Sequence, residues 1–219
     1  MPPKRKFTRE DIAQAALEIV KEKGVEALTA RELGKRLGTS SSPIFTVFKN
    51  MDEVKWAARE LALNEFKEYI SDFKEYTPAF KRVGMMMISY AIHEPELYKL
   101  IHMQEYKKGQ TFEEMVQELG GMKETCVDMI MKDYHMTQEE ASLLFNHMWV
   151  YSSGIGSLCA TKVCDFSEDE VAKYLGQVFA AIVMMIKHGE TNNYIGQPEK
   201  GHSGTIQGRA LDDFPFIKE

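Results

Sequence analysis

Apolar residues recur at three- and four-residue intervals through most of this chain, and no strand-like alternation persists. Near the N-terminus Ile12, Ala15, Ala16, Ile19 and Val20 form one stripe, Leu33 and Leu37 a second, and Ile44, Phe45 and Phe48 a third. Further on, Phe112, Met115, Leu119, Met122, Cys126 and Met129 stay in phase across Gly120-Gly121. A broad apolar face then runs through Val171, Leu175, Phe179, Ile182 and Ile186.

The polar positions mark where these helices start. A hydroxyl or amide is followed three residues later by a carboxylate at Thr8/Asp11, Thr29/Glu32, Asn50/Glu53, Thr111/Glu114, Thr137/Glu140 and Ser167/Glu170. Each pair can satisfy first-turn amides that have no helical partner. Thr77-Pro78 marks another start, and Gly24, Gly38 and Gly189 sit where ends are expected. Together they predict helices over 8–23, 29–37, 41–48, 51–73, 78–93, 95–103, 111–133, 137–163 and 167–188, an all-α chain of about nine helices. A continuous helix is expected through 111–133, with a break as the alternative, since each interior glycine costs about 1 kcal/mol. The expected organisation is a three-helix head over 1–50, a larger helical body over 51–189 and a tail over 190–219. The tail has no helical period and offers Phe214 and Phe216 as a docking point.

Charge sharpens that division. The 219 residues carry a net charge of -6, but residues 1–50 carry ten Lys/Arg against six Asp/Glu and are net positive. A basic head on an acidic body is the polarity expected if only the head meets nucleic acid. A composition 44% hydrophobic allows a substantial core. No run approaches the roughly 18 apolar residues of a membrane span, and MPPKRKF is followed by no apolar segment of the kind a signal peptide has. Three cysteines without a CxxC pair suit a reducing compartment, so a cytoplasmic location with no membrane partner is expected.

Gly38 separates the second and third predicted helices by a turn short enough for a helix-turn-helix. The start of the third presents Thr39, Ser40, Ser41 and Ser42, whose hydroxyls and free amides can meet phosphate oxygens. Thr46 lies one turn further on, and Pro43 is tolerated in a first turn. Residues 8–54 resemble the DNA-binding domain of the TetR family of transcriptional repressors, with GVEALTARELGKRLG followed by PIFTVFKN carrying the likeness over about a fifth of the chain. The resemblance implies that Arg31 reads a guanine through a bidentate contact and that Thr29 and Lys49 contact phosphates. Phe45 stands where the family usually has Tyr, removing a phosphate-binding hydroxyl. Val47 replaces a frequent His and Met51 a frequent Lys, which weakens the expected backbone contacts. Lys4, Arg5 and Lys6 are placed to compensate as a basic arm.

A helix-turn-helix reads a palindrome best as a two-fold dimer, so the body is expected to self-associate as a homodimer. Ser152, Gly156 and Ala160 make a small-residue face, and Leu175, Phe179, Ile182 and Ile186 an apolar one. The resemblance implies that these two helices form a four-helix interface between copies. Met86, Tyr90, Phe112, Met115, Met122, Phe145, Met148 and Trp149 supply flexible thioethers and aromatic faces suited to a small apolar or amphipathic effector. His93, Glu94, His102, His135 and His147 lack the spacing of a metal motif, and Cys159 and Cys164 do not share a helix face. No catalytic motif, metal or cofactor is expected. The expected function is that of a ligand-responsive repressor released from a double-stranded DNA operator by its effector; alternatives are an architectural or partner-controlled DNA-binding protein, and an enzyme.

Overall fold

The computed structural model describes residues 7–72, 78–105 and 109–188. Among them are nine α-helices, two short 3-10 turns and no strand. Contacts group the chain into two compact units, Met1–Val183 and Met184–Glu219. The predicted head and the bulk of the body fall within the first; the described part of the second is the C-terminal end of the last helix.

In the head, α1 (Arg9–Lys23) starts at a reciprocal cap: the Asp11 amide donates to Thr8 Oγ1 at 3.1 Å and the Thr8 amide to Asp11 Oδ2 at 3.0 Å. It buries Ile12, Ala16, Ile19 and Val20, following the stripe in the sequence. α2 (Ala30–Arg36) starts at Thr29, whose hydroxyl accepts from the Glu32 amide at 3.2 Å. The Glu32 carboxylate does not return to the cap; it accepts from Lys23 at 2.5 Å, which holds its pKa below the ordinary range. Arg36 bridges Glu18 and Glu22 on α1. α3 (Met51–Tyr69) is capped by Asn50 and carries the chain into the body.

The third predicted helix, 41–48, is not formed. In its place a turn leads into a single 3-10 turn, Ile44–Thr46, where the Ile44 amide donates to Ser41 O at 3.1 Å and Thr46 Oγ1 to Pro43 O at 2.7 Å. Three successive serines and a proline favour local turns over a continuing helical ladder.

The body comprises α4 (Ala79–His93), α5 (Pro95–His102), α6 (Phe112–Gln117), α7 (Met122–Tyr134), α8 (Gln138–Ala160) and α9 (Glu168–Lys187). α4 and α8 make the most extensive helix pairing, and α7 also packs on α8. α5 touches α1, α3, α4 and α8, so it joins head to body. The continuous helix expected over 111–133 is broken. Gly120 and Gly121 adopt φ of +61° and +80°, the left-handed region that glycine enters without penalty, and Gly121 becomes the N-cap of α7. Capping boxes at Thr111/Glu114, Thr137/Glu140 and Ser167/Glu170 form with both hydrogen bonds. At Asn50/Glu53 the glutamate accepts from the Lys49 amide instead. No helix among the described residues is long and apolar enough to cross a membrane.

Candidate nucleic-acid interface and interior cleft

The head's turn is held by a glycine that composition alone does not reveal. A Cβ on Gly34 would stand 3.0 Å from the Thr39 carbonyl oxygen and 3.1 Å from the Ser40 carbonyl carbon. The turn backbone therefore lies directly on α2, and the Thr39 amide donates to Gly34 O at 2.9 Å. Gly38, at φ +68°, makes the reversal. The signal for Gly34 was present: a glycine inside a short helix, four residues before a turn glycine.

Ile44 and Phe48 are buried in the head's core, and the Arg9 guanidinium lies 4.2 Å from the centre of the Phe48 ring. Phe45 is 45% exposed, so it points away from that core. Thr29, Arg31, Ser40, Ser42, Thr46 and Lys49 are exposed, while Thr39 and Ser41 are half-buried in the turn. The Lys49 side chain is 88% exposed and its Nζ lies 3.8 Å from Glu53, a contact too open to hold it. These groups offer one guanidinium, one ammonium and several hydroxyls on the turn and its flanks, a chemistry suited to base edges and phosphates. Lys4, Arg5 and Lys6 lie outside the described residues, as does the tail over 190–219.

In the body an apolar cleft of about 120 Å³ opens between α4, α7, α8 and α9. Phe80 faces Phe145 at 6.2 Å and Phe179 at 6.5 Å between ring centres, Tyr134 lies 5.0 Å from Phe179, and Phe145 stacks on Trp149 at 5.7 Å. Met87, Met148 and Leu175 complete the apolar walls, with Lys81, Tyr134 and Ser152 as polar groups. Behind Trp149 the rings continue through His102 at 6.3 Å to Phe66 and Tyr90, at 5.7 and 5.1 Å. Trp149 Nε1, His102 Nε2 and Tyr90 Oη are enclosed without a hydrogen-bond partner. Burial, helped by the Arg59 charge, pushes the His102 pKa down to about 3 and keeps the ring neutral; burial pushes the Tyr90 phenol above its ordinary range. Arg59, itself buried, donates to Glu118 Oε2 at 2.6 Å and to Ile101 O at 3.3 Å, tying α3 to the end of α5 and the loop after α6.

Of the eight residues predicted to bind an effector, Phe145, Met148 and Trp149 line this cleft. Tyr90 sits deeper in the ring cluster, and Met86 borders a separate surface groove with Tyr69 and His93. Phe112, Met115 and Met122, on and after the short α6, do not line the cleft. Met85, Met86 and Met87 are consecutive on one helix, each 100° from the next, and the packing places Met87 in the cleft; Phe80, which also lines it, was not anticipated. Leu175 and Phe179, expected at a dimer interface, line this cleft.

The small-residue face is also used within the chain. Ser152 lines the cleft, Ala160 is fully buried, and a Cβ on Gly156 would stand 2.5 Å from Tyr98 Oη. Gly156 thus makes room for Tyr98, which donates to Ser153 O at 3.1 Å. Ile182 is half-buried and Ile186 buried. The opposite side of α8 is open: Val150 is 58% and Leu158 39% exposed, and no atom lies within 4 Å of a Cβ on Gly154 between them. On α9, Tyr174 is 39% exposed and Gly176 is similarly open. Among the described residues no cluster of three His, Cys, Asp or Glu could hold a metal ion. Cys126 and Cys159 are buried thiols, and burial raises the pKa of Cys159.

Residues 12–54 match the family model described as bacterial regulatory proteins, tetR family. Comparison with curated proteins gives no match. Among solved structures, a protein of unknown function from Rhodococcus sp. RHA1 is 16% identical, with 84% of this chain and 97% of that one covered at a TM-score of 0.62. A TetR variant from Acinetobacter baumannii AYE in complex with minocycline is 15% identical, covering 84% and 98% at 0.56. The fatty acid degradation regulator FadR from Bacillus halodurans is 15% identical, covering 80% and 97% at 0.53. At these identities the likeness is one of fold.

Proposed function

We propose, from the match of residues 12–54 to the family model described as bacterial regulatory proteins, tetR family, that this chain is a cytoplasmic, homodimeric transcriptional repressor, released from a palindromic operator by a small apolar or amphipathic effector. The observation that carries the reading is the turn clamped on Gly34, which leaves Arg31, Ser40, Ser42, Thr46 and Lys49 exposed around it. In this role Arg31 reads a base edge, while Thr29, Thr39, Ser40, Ser41, Ser42, Thr46 and Lys49 meet the backbone. Exposed Phe45 offers apolar contact to a thymine methyl, and Lys4, Arg5 and Lys6 add charge.

The open sides of α8 and α9, at Val150, Gly154, Leu158 and Tyr174, are the surface we assign to a second copy; the small face at Ser152, Gly156 and Ala160 packs within the chain. The effector occupies the interior cleft, and the solved neighbour in complex with minocycline supports a small-molecule ligand. Release requires that the effector bind the released state more tightly than the operator-bound state. Selection of bound fragments from a random DNA pool tests the reading. Recovery of one short palindrome supports a sequence-specific dimer; salt-sensitive binding with no enriched sequence favours an architectural role.

A further inference from the structure

The cleft has one chemical demand that its apolar walls conceal. Trp149 is 4% exposed, lines the cleft, and encloses an Nε1–H with no acceptor. An indole nitrogen can only donate, so whatever satisfies it must bring an acceptor. Ser152, 3% exposed and one turn further along α8, adds a hydroxyl to the same cleft. Phe80 neighbours Phe145 and Phe179, and Phe145 stacks on Trp149, so the cleft offers aromatic walls to a ring. The described lining contains no carboxylate, and its one charged residue is Lys81. A cation would meet that ammonium and an interior that keeps His102, in ring contact with Trp149, neutral. A volume of about 120 Å³ takes about four waters at roughly 30 Å³ each, the scale of a single ring.

We propose that the cleft takes a planar, uncharged ligand built on a single ring, of roughly six to nine non-hydrogen atoms, whose carbonyl or ether oxygen accepts the Trp149 Nε1–H, and that it rejects cations of the same shape. This specifies the effector class of the ligand-responsive reading above and rests on it. An isostere without an acceptor leaves the indole donor unsatisfied in the complex, and discrimination against such ligands is larger than against the loss of an apolar group.

The test is calorimetric titration of the full-length protein with three probes of one size and shape: methyl phenyl ketone, isopropylbenzene and the 1-phenylethylammonium ion. The ketone is expected to bind about tenfold more tightly than the hydrocarbon, with the ammonium weakest. Trp149→Phe should abolish the preference for the ketone over the hydrocarbon, whatever it does to the two affinities together. A measurement on the native protein guards against misfolding of that variant: one of the two tryptophan indole N–H resonances should lie further downfield in the ketone complex than in the hydrocarbon complex, as hydrogen bonding requires. Equal binding of ketone and hydrocarbon, a preference for the ammonium, a ketone preference that survives Trp149→Phe, or binding by none of the three overturns the proposal. Operator release is scored separately. A ketone that binds with the predicted preference but leaves the operator bound would refute the effector role and retain the ligand class; release by ligands lacking an acceptor would do the reverse.

Discussion

The head and the body treat their polar groups in opposite ways. In the head the hydrogen-bonding side chains cap helices, as Thr8 and Thr29 do, pair with one another, as Arg36 does with Glu18 and Glu22, or stand exposed, as Arg31, Ser42 and Lys49 do. In the body Tyr90, His102 and Trp149 each hold a polar atom enclosed without a partner. An unsatisfied enclosed group costs about 1–3 kcal/mol, a penalty a purely structural core avoids. On the proposed reading the difference follows from the ligand. A polyanion is met by rigid, solvated donors, whereas a small molecule in the cleft is met at Trp149 by a donor already stripped of water.

The largest test of that contrast is acid. All six histidines lie outside the head, and the fold keeps His102 neutral with a pKa near 3, against an ordinary value of 6.5. Between those values the unfolded chain binds a proton that the folded chain does not, so stability falls as pH falls. The slope is about 1.4 kcal/mol per pH unit through that window, and above it His102 contributes no pH dependence. Urea denaturation at successive pH values should show His102→Phe with a slope shallower by about that amount between pH 6 and 5. Parallel slopes would place His102 in contact with water in the folded protein.

A second test sets one glycine against another. Gly34→Ala drives a Cβ against the turn backbone at Thr39 and Ser40, and Gly156→Ala drives one into the buried Tyr98 ring. Each overpacks a site that cannot yield easily, at a cost of about 1–3 kcal/mol. The consequences should separate: Gly34→Ala displaces the turn and weakens DNA binding beyond its stability loss, whereas Gly156→Ala lowers the melting temperature with operator affinity intact in the folded fraction. Equal losses of operator affinity would show head and body coupled through α5, which touches both.

What could be read from the sequence divides along the same line. Helix starts in both regions were legible because caps are local: Thr8/Asp11, Thr111/Glu114 and Thr137/Glu140 form as spaced. The exposed residues of the head's turn were legible too, since their chemistry does not depend on what packs behind them. The interior was less so. Met86 and Met87 have the same side chain one position apart, and a 100° rotation decides which meets the cleft. Leu175 and Phe179 form an apolar stripe whether they face a second copy or their own chain. The third helix and the 111–133 helix failed for a backbone reason: a Ser-Ser-Ser-Pro run and a Gly-Gly pair admit the periodic pattern but favour turns.

Within the head the base-reading and phosphate roles should separate. Arg31→Ala is expected to weaken operator binding by roughly 1–3 kcal/mol and to relax selection at one base pair per half-site. Competition binding against operator variants measures this; an equal loss on every sequence would leave Arg31 with no reading role.

Lys49 gives the smallest and cleanest effect. Its side chain is 88% exposed and its partner Glu53 is 3.8 Å away, so removing it disturbs little of the fold. Lys49→Ala should weaken binding to operator and random DNA alike and lower the slope of log affinity against log salt by about one counterion for each head engaged. A titration across salt concentrations distinguishes this from Arg31→Ala, which changes the ranking of sequences as well. If the slope is unchanged, Glu53 retains Lys49 in the complex, and the turn hydroxyls from Thr39 to Ser42 carry the backbone contact on that side.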